Sequence, residues 1–273
     1  MARRGSTLDL AALAFRGLGY LTMAFILLPL VAVVWVSFFS NRVIIFPPDG
    51  YTWSWYGAAL ADDSFRSGLL TSLWLALGAA AGSLAVGIPA SFVLARRDFV
   101  GRGAINAFLL SPLMIPAIVA GSAVYLFFIQ IEIVSGVRFA GTFHGLLLAH
   151  IVIAIPWTIR LMVASLLRYD IALEEAAISF GASPLQAIWR VTLPAVRPAV
   201  VAAALFSFIV SFVDLEKSLL LVGPGTTTLP IAIVNYIQWR LDPTIAAVST
   251  LQILMVTVAL VISDRFVRLT QTF

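Results

Sequence analysis

The sequence predicts an all-α membrane protein with six transmembrane helices. Three observations predict it. Of the 273 residues, 61% are hydrophobic and only 11% are charged, whereas soluble domains run near half apolar and about a quarter charged. The apolar residues gather in runs of the roughly 20 that a helix needs to cross the hydrocarbon layer. The basic residues sit between those runs, unevenly from loop to loop. A soluble fold of this size cannot hide so much apolar surface, so lipid takes the remainder.

The elements follow in order. Arg3, Arg4 and Arg16 precede an apolar run from Leu18 to Phe39. That run exceeds the roughly 7–15 residues of a signal-peptide core, and no clear small-x-small cleavage site follows it, so it reads as a retained first helix. Five further spans cover residues 69–94, 104–130, 143–167, 199–222 and 244–263. Pro29, Pro89, Pro112, Pro116 and Pro156 lie inside spans, where neighbouring helices can satisfy the freed backbone groups. Pro112 and Pro116, four residues apart, predict a kink in the third helix, either gating or static. His150 and Gln130 are lone polar residues in apolar helices, expected as packing hydrogen bonds rather than ligands. Arg160, about a turn and a half inside the fourth helix, is within snorkelling reach of the interface.

The loops set the orientation. One set carries Arg3, Arg4, Arg16, Arg96, Arg97, Arg102, Arg168, Arg190, Arg197, Arg265 and Arg268, eleven in all. The other carries five: Arg42, Arg66, Arg138, Lys217 and Arg240. The positive-inside rule therefore puts both termini in the cytoplasm. Trp53, Trp55 and Trp239 fall on the opposite side and suit a membrane interface. Gly223-Pro224-Gly225 marks a turn there. The chain reads as one transmembrane domain, residues 1–273, with a core at about 68–265 and a long cytoplasmic loop at about 168–198.

Composition also excludes chemistry. There is no cysteine, hence no disulfide, thiolate metal site or cysteine nucleophile. The net charge of +4 belongs to lipid phosphate and topology, not to nucleic acid. No ionisable pair in the spans has spacing suited to a nucleophile with its base or to a metal, so no catalytic or metal-ligating residue is expected. No G-x-x-x-x-G-K-[ST] phosphate loop occurs, and Gly223-Pro-Gly-Thr-Thr-Thr lacks the lysine. The chain cannot hydrolyse ATP by itself.

The loop 168–198 carries the most information. Ile171 to Phe180 reads as a short amphipathic helix, with Glu174 and Glu175 in the first turn where the macrodipole favours acid. Gly181 stops it. Ser183 caps a second short helix whose first position is Pro184 and which runs through Trp189 and Arg190 to end before Pro194. The result is a compact knob bearing small residues, Ala176, Ala177, Gly181 and Ala182.

Glu175-Ala176-Ala177, three residues, Gly181, nine residues, Val191, one residue, then Leu193-Pro194 resembles the EAA loop of binding-protein-dependent ABC importer permeases. Val191 stands where isoleucine is usual. The resemblance implies the type I ABC importer transmembrane-domain fold over residues from about 68 onward. It implies that Glu174, Glu175, Ala176, Ala177, Gly181, Ala182, Leu193 and Pro194 couple to an ATPase. It implies further partners: a cytoplasmic ABC ATPase dimer, which uses ATP and Mg, none bound by this chain; a second permease subunit of different sequence; and an extracytoplasmic solute-binding protein. It places the chain in a bacterial cytoplasmic (inner) membrane.

The stretch Ser211-Phe212-Val213-Asp214-Leu215-Glu216, with Gly223 to Pro230 and Asp242 to Ser249, is similar to the spermidine/putrescine-type branch of these permeases. It departs by Val213 and by Lys217. Ionisable residues at membrane depth point to function. Asp214, Glu216 and Phe212 are candidates to meet an ammonium group, with Phe206 and Phe208 nearby. The alternative is an Asp214–Lys217 pair that only stabilises a helix end. The same branch implies an opine, aminoethylphosphonate or another small charged solute as alternatives, and for an anionic solute Lys217 and Arg240 are the candidates instead. A self-sufficient secondary transporter predicts paired broken helices in two halves, and no such symmetry is visible in the sequence.

Overall fold

The computed structural model describes residues 5–271, with side-chain surroundings from residue 12 to residue 265. Arg3 and Arg4, used in the charge asymmetry, lie outside the described residues, as does the side chain of Arg268. Helices are the regular elements of the described residues, with one isolated bridge, Phe39 to Tyr51, and no strand among them. Five helices are long and apolar enough to cross a membrane, and a bent pair raises the number to six.

The chain forms two compact units, Met1–Asp62 with Tyr236–Ile253, and Asp63–Asn235 with Leu254–Phe273. In the first unit, α1 (Gly5–Val36) is followed by a loop and by α2 (Ser54–Ala61). The apolar window of α1 is wholly exposed, as suits a helix facing lipid. The loop folds back on the end of α1. Ser37 and Tyr56 share a hydroxyl hydrogen bond at 2.6 Å, and Trp55 Nε1 donates to the Phe39 carbonyl at 2.6 Å. Trp53 packs edge-on against Phe38 and is largely exposed, and Trp239 is more exposed still.

In the second unit, α3 (Asp63–Arg96), α4 (Arg102–Leu110) and α5 (Ala117–Ser135) precede α6 (Phe143–Leu166). Next come α7 (Ala172–Ser179), α8 (Pro184–Ala187), α9 (Leu193–Ala195) and α10 (Arg197–Phe212). After α11 (Ser218–Leu221), α12 (Leu229–Ile237) and α13 (Thr244–Gln271) complete the chain, each running across the boundary between the units. Helices α3, α6 and α10 pack together as the core of this unit.

Small residues make that packing possible. Ser72, Ala76, Ala79, Ala80, Ser83 and Gly87 of α3 are buried. A Cβ added at Gly82 would lie 2.5 Å from Ile151 Cδ1, and one at Gly87 would lie 2.6 Å from Thr158 Cγ2. Close approach of this kind replaces the hydrophobic drive that is absent between helices in lipid. Hydroxyls knit the same seam: Thr158 Oγ1 donates to Ser83 at 3.3 Å and lies 3.2 Å from Ser207 Oγ.

Two expected spans differ. The third, 104–130, is broken rather than kinked. α4 ends at Leu110, a 3₁₀ turn covers Ser111–Leu113, and α5 starts only after Pro116, whose ψ is 134°. Pro112 and Pro116 both lack the N–H that a helix needs. Ser111 before Pro112 stays right-handed, with φ −56° and ψ −33°, and the turn tightens there to 3₁₀ instead of continuing α4. The fifth, 199–222, ends at Phe212. Its 16 residues make about 24 Å of helix, and it reaches spanning length only together with Pro184–Ala195, from which it bends by 73°. Gln130 is exposed on α5 instead of packed, and Arg160 is exposed on α6.

Candidate coupling loop and transport-path residues

The knob is built from its own backbone chemistry. Gly181 follows the Phe180 cap of α7, and its φ of +93° is left-handed and comfortable only for glycine. The orphan carbonyls are met there: Gly181 N donates to Ile178 O at 2.9 Å and Ala182 N to Ala177 O at 3.1 Å. Ser183 and Gln186 form a reciprocal capping box at the start of α8, with Pro184 in the first turn. The second helix does not stop before Pro194 as expected. A π-turn over Ile188–Thr192 carries it on into Leu193–Ala195, so the proline sits in the first turn of a short new helix, where its missing N–H is tolerated.

The eight loop residues split by direction. Glu175, Ala176, Gly181 and Pro194 are exposed, and Ala177 and Ala182 are half-buried. Glu174 and Leu193 turn inward. Glu174 Oε2 accepts from Arg96 Nη1 at 2.9 Å and from Thr192 Oγ1 at 2.5 Å. Leu193 helps line an apolar groove of about 670 Å³ with Ile88, Phe92, Leu185 and Trp189. Phe180, at 93% exposed, is the most prominent apolar side chain of the knob. Phe180, Arg96 and Thr192 were not singled out by spacing. The available signal was an aromatic beside the glycine stop and a basic pair, Arg96-Arg97, closing a span.

The residues after α10 form a second, buried constellation. Val213 leaves the helix, and the Asp214 carboxylate then takes over as a side-chain cap. Its Oδ2 accepts from the Ser218 backbone N–H and hydroxyl, both at 3.0 Å, while Oδ1 accepts from Lys217 Nζ at 2.8 Å. His150 of α6 closes the network, with Nδ1 2.8 Å from Ser211 Oγ and Nε2 2.9 Å from Ser218 Oγ. His150 is therefore a packing residue, as expected. Phe212 is fully buried and stacked on Phe208 at 5.5 Å, so it lines no open path in this structure. Asp214 is held by Lys217. Glu216 is exposed and forms no ion pair among the described residues. Arg240 is exposed, its guanidinium 5.6 Å from the Tyr236 ring centre, and a hydrogen bond with Tyr236 holds it above its usual pKa. Among the described residues no group of acidic, histidine or cysteine side chains is arranged to hold a metal.

Residues 87–271 match the family described as "Binding-protein-dependent transport system inner membrane component". The chain belongs to that family. The match takes in the whole knob and the Asp214 network. The permease is 30% identical over 232 residues to the putrescine transport system permease protein PotI of Escherichia coli K12, covering 85% of this chain and 82% of PotI. It is 27% identical over 251 residues to the spermidine/putrescine transport system permease protein PotC of the same strain, covering 91% and 92%. Its fold is similar to a chain of a bacterial ABC transporter involved in the import of the acidic polysaccharide alginate. That superposition has a TM-score of 0.73 and 16% identity and covers 97% of this chain and 99% of that one. A chain of the MetNI methionine ABC transporter superposes with a TM-score of 0.60, 22% identity and 76% and 95% coverage. The permease thus has the type I ABC importer fold and is a multi-pass protein of the bacterial inner membrane, a permease subunit of an ABC transporter.

Proposed function

We propose that this permease imports a small cationic solute of the polyamine class and supplies one half of a pore that a second permease, of different sequence, completes. Both termini are cytoplasmic, and residues 1–273 work as one permease domain. An ATPase dimer docks on the knob at 168–198, through Glu175, Ala176, Ala177, Gly181, Ala182 and Pro194, with Glu174 and Leu193 holding the knob from within. ATP and Mg are used by that ATPase and not by this chain. ATP binding there moves the knob and switches the pore between inward-open and outward-open states, while a solute-binding protein delivers the solute from outside.

The observation that carries the substrate is the similarity, along most of both chains, to two permeases named for putrescine and spermidine. Glu216 supports it: with Asp214 held by Lys217, Glu216 is the exposed carboxylate left to meet an ammonium group. Phe212 and Asp214 act behind it as support, and Lys217 serves Asp214.

The test has two parts. The chain is purified with its genetic neighbours, and the cognate binding protein is heated with putrescine, spermidine, an opine and aminoethylphosphonate in turn. A rise in melting temperature with a polyamine, and labelled polyamine uptake into vesicles, are expected. A rise only with the opine or the phosphonate replaces the polyamine assignment. Absence of any ATPase in the purified complex rejects the docking assignment.

A further inference from the structure

Three elements of the second unit meet on one oxygen atom. Arg96 is the last residue of α3, Glu174 lies in the first turn of α7, and Thr192 closes the π-turn. The arginine and threonine donors converge on Glu174 Oε2, at 2.9 and 2.5 Å. The Arg96 guanidinium is also flanked by two rings, Phe92 from its own preceding turn at 5.8 Å and Tyr169 at 5.5 Å. The Arg96 and Glu174 side chains are only 16% and 13% exposed, and Thr192 is fully buried. Met162, Leu166 and Val196 form the apolar cluster around them, with Phe92, Tyr169 and Leu193 packed against it.

The placement separates two tasks on one short helix. Glu175 and Phe180 of the knob face outward, whereas Glu174 faces α3. Adjacent helical residues point about 100° apart, so neighbouring glutamates serve different sides. A charge-assisted contact in a mostly desolvated site is short-ranged and directional, and bistable packed elements transmit small displacements. Thr192 ends the π-turn with its hydroxyl on the carboxylate, and such turns recur where local geometry serves function.

We propose that the Arg96–Glu174–Thr192 brace is the positioning device that passes displacement of the knob to α3, and so sets how much solute moves for each ATP hydrolysed. This rests on the reading of the knob as the ATPase docking site. Without the brace the knob remains present for docking but, among the described residues, is joined to the α3–α6–α10 core through its two chain ends and apolar contacts.

The test uses the whole transporter in proteoliposomes, with this chain, its ATPase, the companion permease and the binding protein. Arg96→Glu, Glu174→Arg and the double exchange are compared by ATPase association, ATP hydrolysis and solute uptake. Each single reversal is expected to keep the ATPase bound and hydrolysing while uptake per ATP falls at least about tenfold, because it loses a charge-assisted contact and sets two like charges face to face in a mostly desolvated site. The double exchange is expected to recover most of that ratio, whereas a merely structural role predicts that assembly, hydrolysis and uptake fall together and leave the ratio unchanged. Should a single reversal fail to assemble, Thr192→Val decides. A drop of about threefold in uptake per ATP supports the brace, on the scale of one hydrogen bond, and an unchanged ratio overturns it. A ratio unchanged in both single reversals, or a double exchange as poor as either single, also overturns it while leaving the docking assignment intact. A wild-type chain that binds no ATPase rejects the docking assignment itself.

Discussion

Lys217 reaches back three residues to hold Asp214 at 2.8 Å, inside the break that follows α10. The pair does more than balance charge. Asp214 also caps α11 through Ser218, so the same carboxylate ends one helix and starts the next. Breaking a buried pair by removing one partner costs about 3–5 kcal/mol, because the other charge is stranded. Asp214→Ala and Lys217→Ala should each lower the melting temperature of the purified protein clearly. The doubly neutral variant, Asp214→Asn with Lys217→Gln, should be milder than either. A double variant that melts at the sum of the two single losses would show that pairing is not the source of the stability.

His150 predicts a related effect from the side of α6. Both ring nitrogens are used, by Ser211 and Ser218. His150→Ala leaves the buried Ser211 hydroxyl without its partner, at about 1–3 kcal/mol for an unsatisfied group, while Ser218 still donates to Asp214. The expected outcome is a loss of thermal stability with assembly of the complex retained. His150→Gln, which can serve one hydroxyl, should fall between alanine and the wild type.

These networks mark where reading the sequence stops. The spans were legible because lipid demands long apolar runs: 69–94, 143–167 and 244–263 each come within two residues of an observed helix end, at Arg96, at Phe143 and Leu166, and at Thr244. The first helix, by contrast, starts at Gly5 and ends at Val36 instead of running 18–39. The breaks were not. Hydropathy continues through Pro112 to Pro116 and through Leu215 to Val222, so a window of apolar residues cannot register that the backbone leaves the helix. Asp214 was visible as an ionisable residue at membrane depth, but its helix-capping role depends on Ser218 turning back to it. Likewise Glu174 and Glu175 read alike in one dimension. Only the packing of α7 on Arg96 and Thr192 distinguishes them.

Docking on the knob makes a sharper prediction than the motif alone. Phe180 is almost fully exposed, and Glu175 is exposed one face away from the brace. Buried aromatic anchors dominate interfaces, with losses of about 2 kcal/mol or more on truncation. Phe180→Ala should therefore reduce retention of the ATPase on affinity-purified permease at least about tenfold, with no change in the melting temperature of the permease alone. Equal retention by Phe180→Ala and wild type would remove this side chain from the interface.

Close backbone contacts predict an order of severity among glycine substitutions. A Cβ at Gly223 would lie 2.4 Å from the Gly141 carbonyl oxygen, and one at Gly145 would lie 2.1 Å from that of Phe139. Backbone cannot yield as a flexible side chain can. At Gly82 the obstacle is the far end of Ile151, which can rotate away. Overpacking costs about 1–3 kcal/mol where neighbours adjust. Gly223→Ala and Gly145→Ala should yield little folded protein in detergent-solubilised membranes, and Gly82→Ala should yield near-normal amounts. The reverse order would mean that the Gly141–Gly223 approach is not a feature of the folded state.

Gly181 tests backbone conformation without any clash. No atom lies within 4 Å of a Cβ placed there, yet φ is +93°. Any cost of substitution is therefore conformational, about 1–2 kcal/mol for an ordinary L-residue held in the left-handed region. Asparagine tolerates that region better, and β-branched residues worst. Three variants, Gly181→Asn, Gly181→Ala and Gly181→Val, should then lose ATP-driven uptake in that order of increasing severity. Side-chain volume alone sets a different order, since asparagine is larger than alanine. Uptake by Gly181→Asn above that of Gly181→Ala identifies backbone strain as the reason glycine stands at the turn. Uptake by Gly181→Ala above that of Gly181→Asn assigns the position to steric fit against a docked partner.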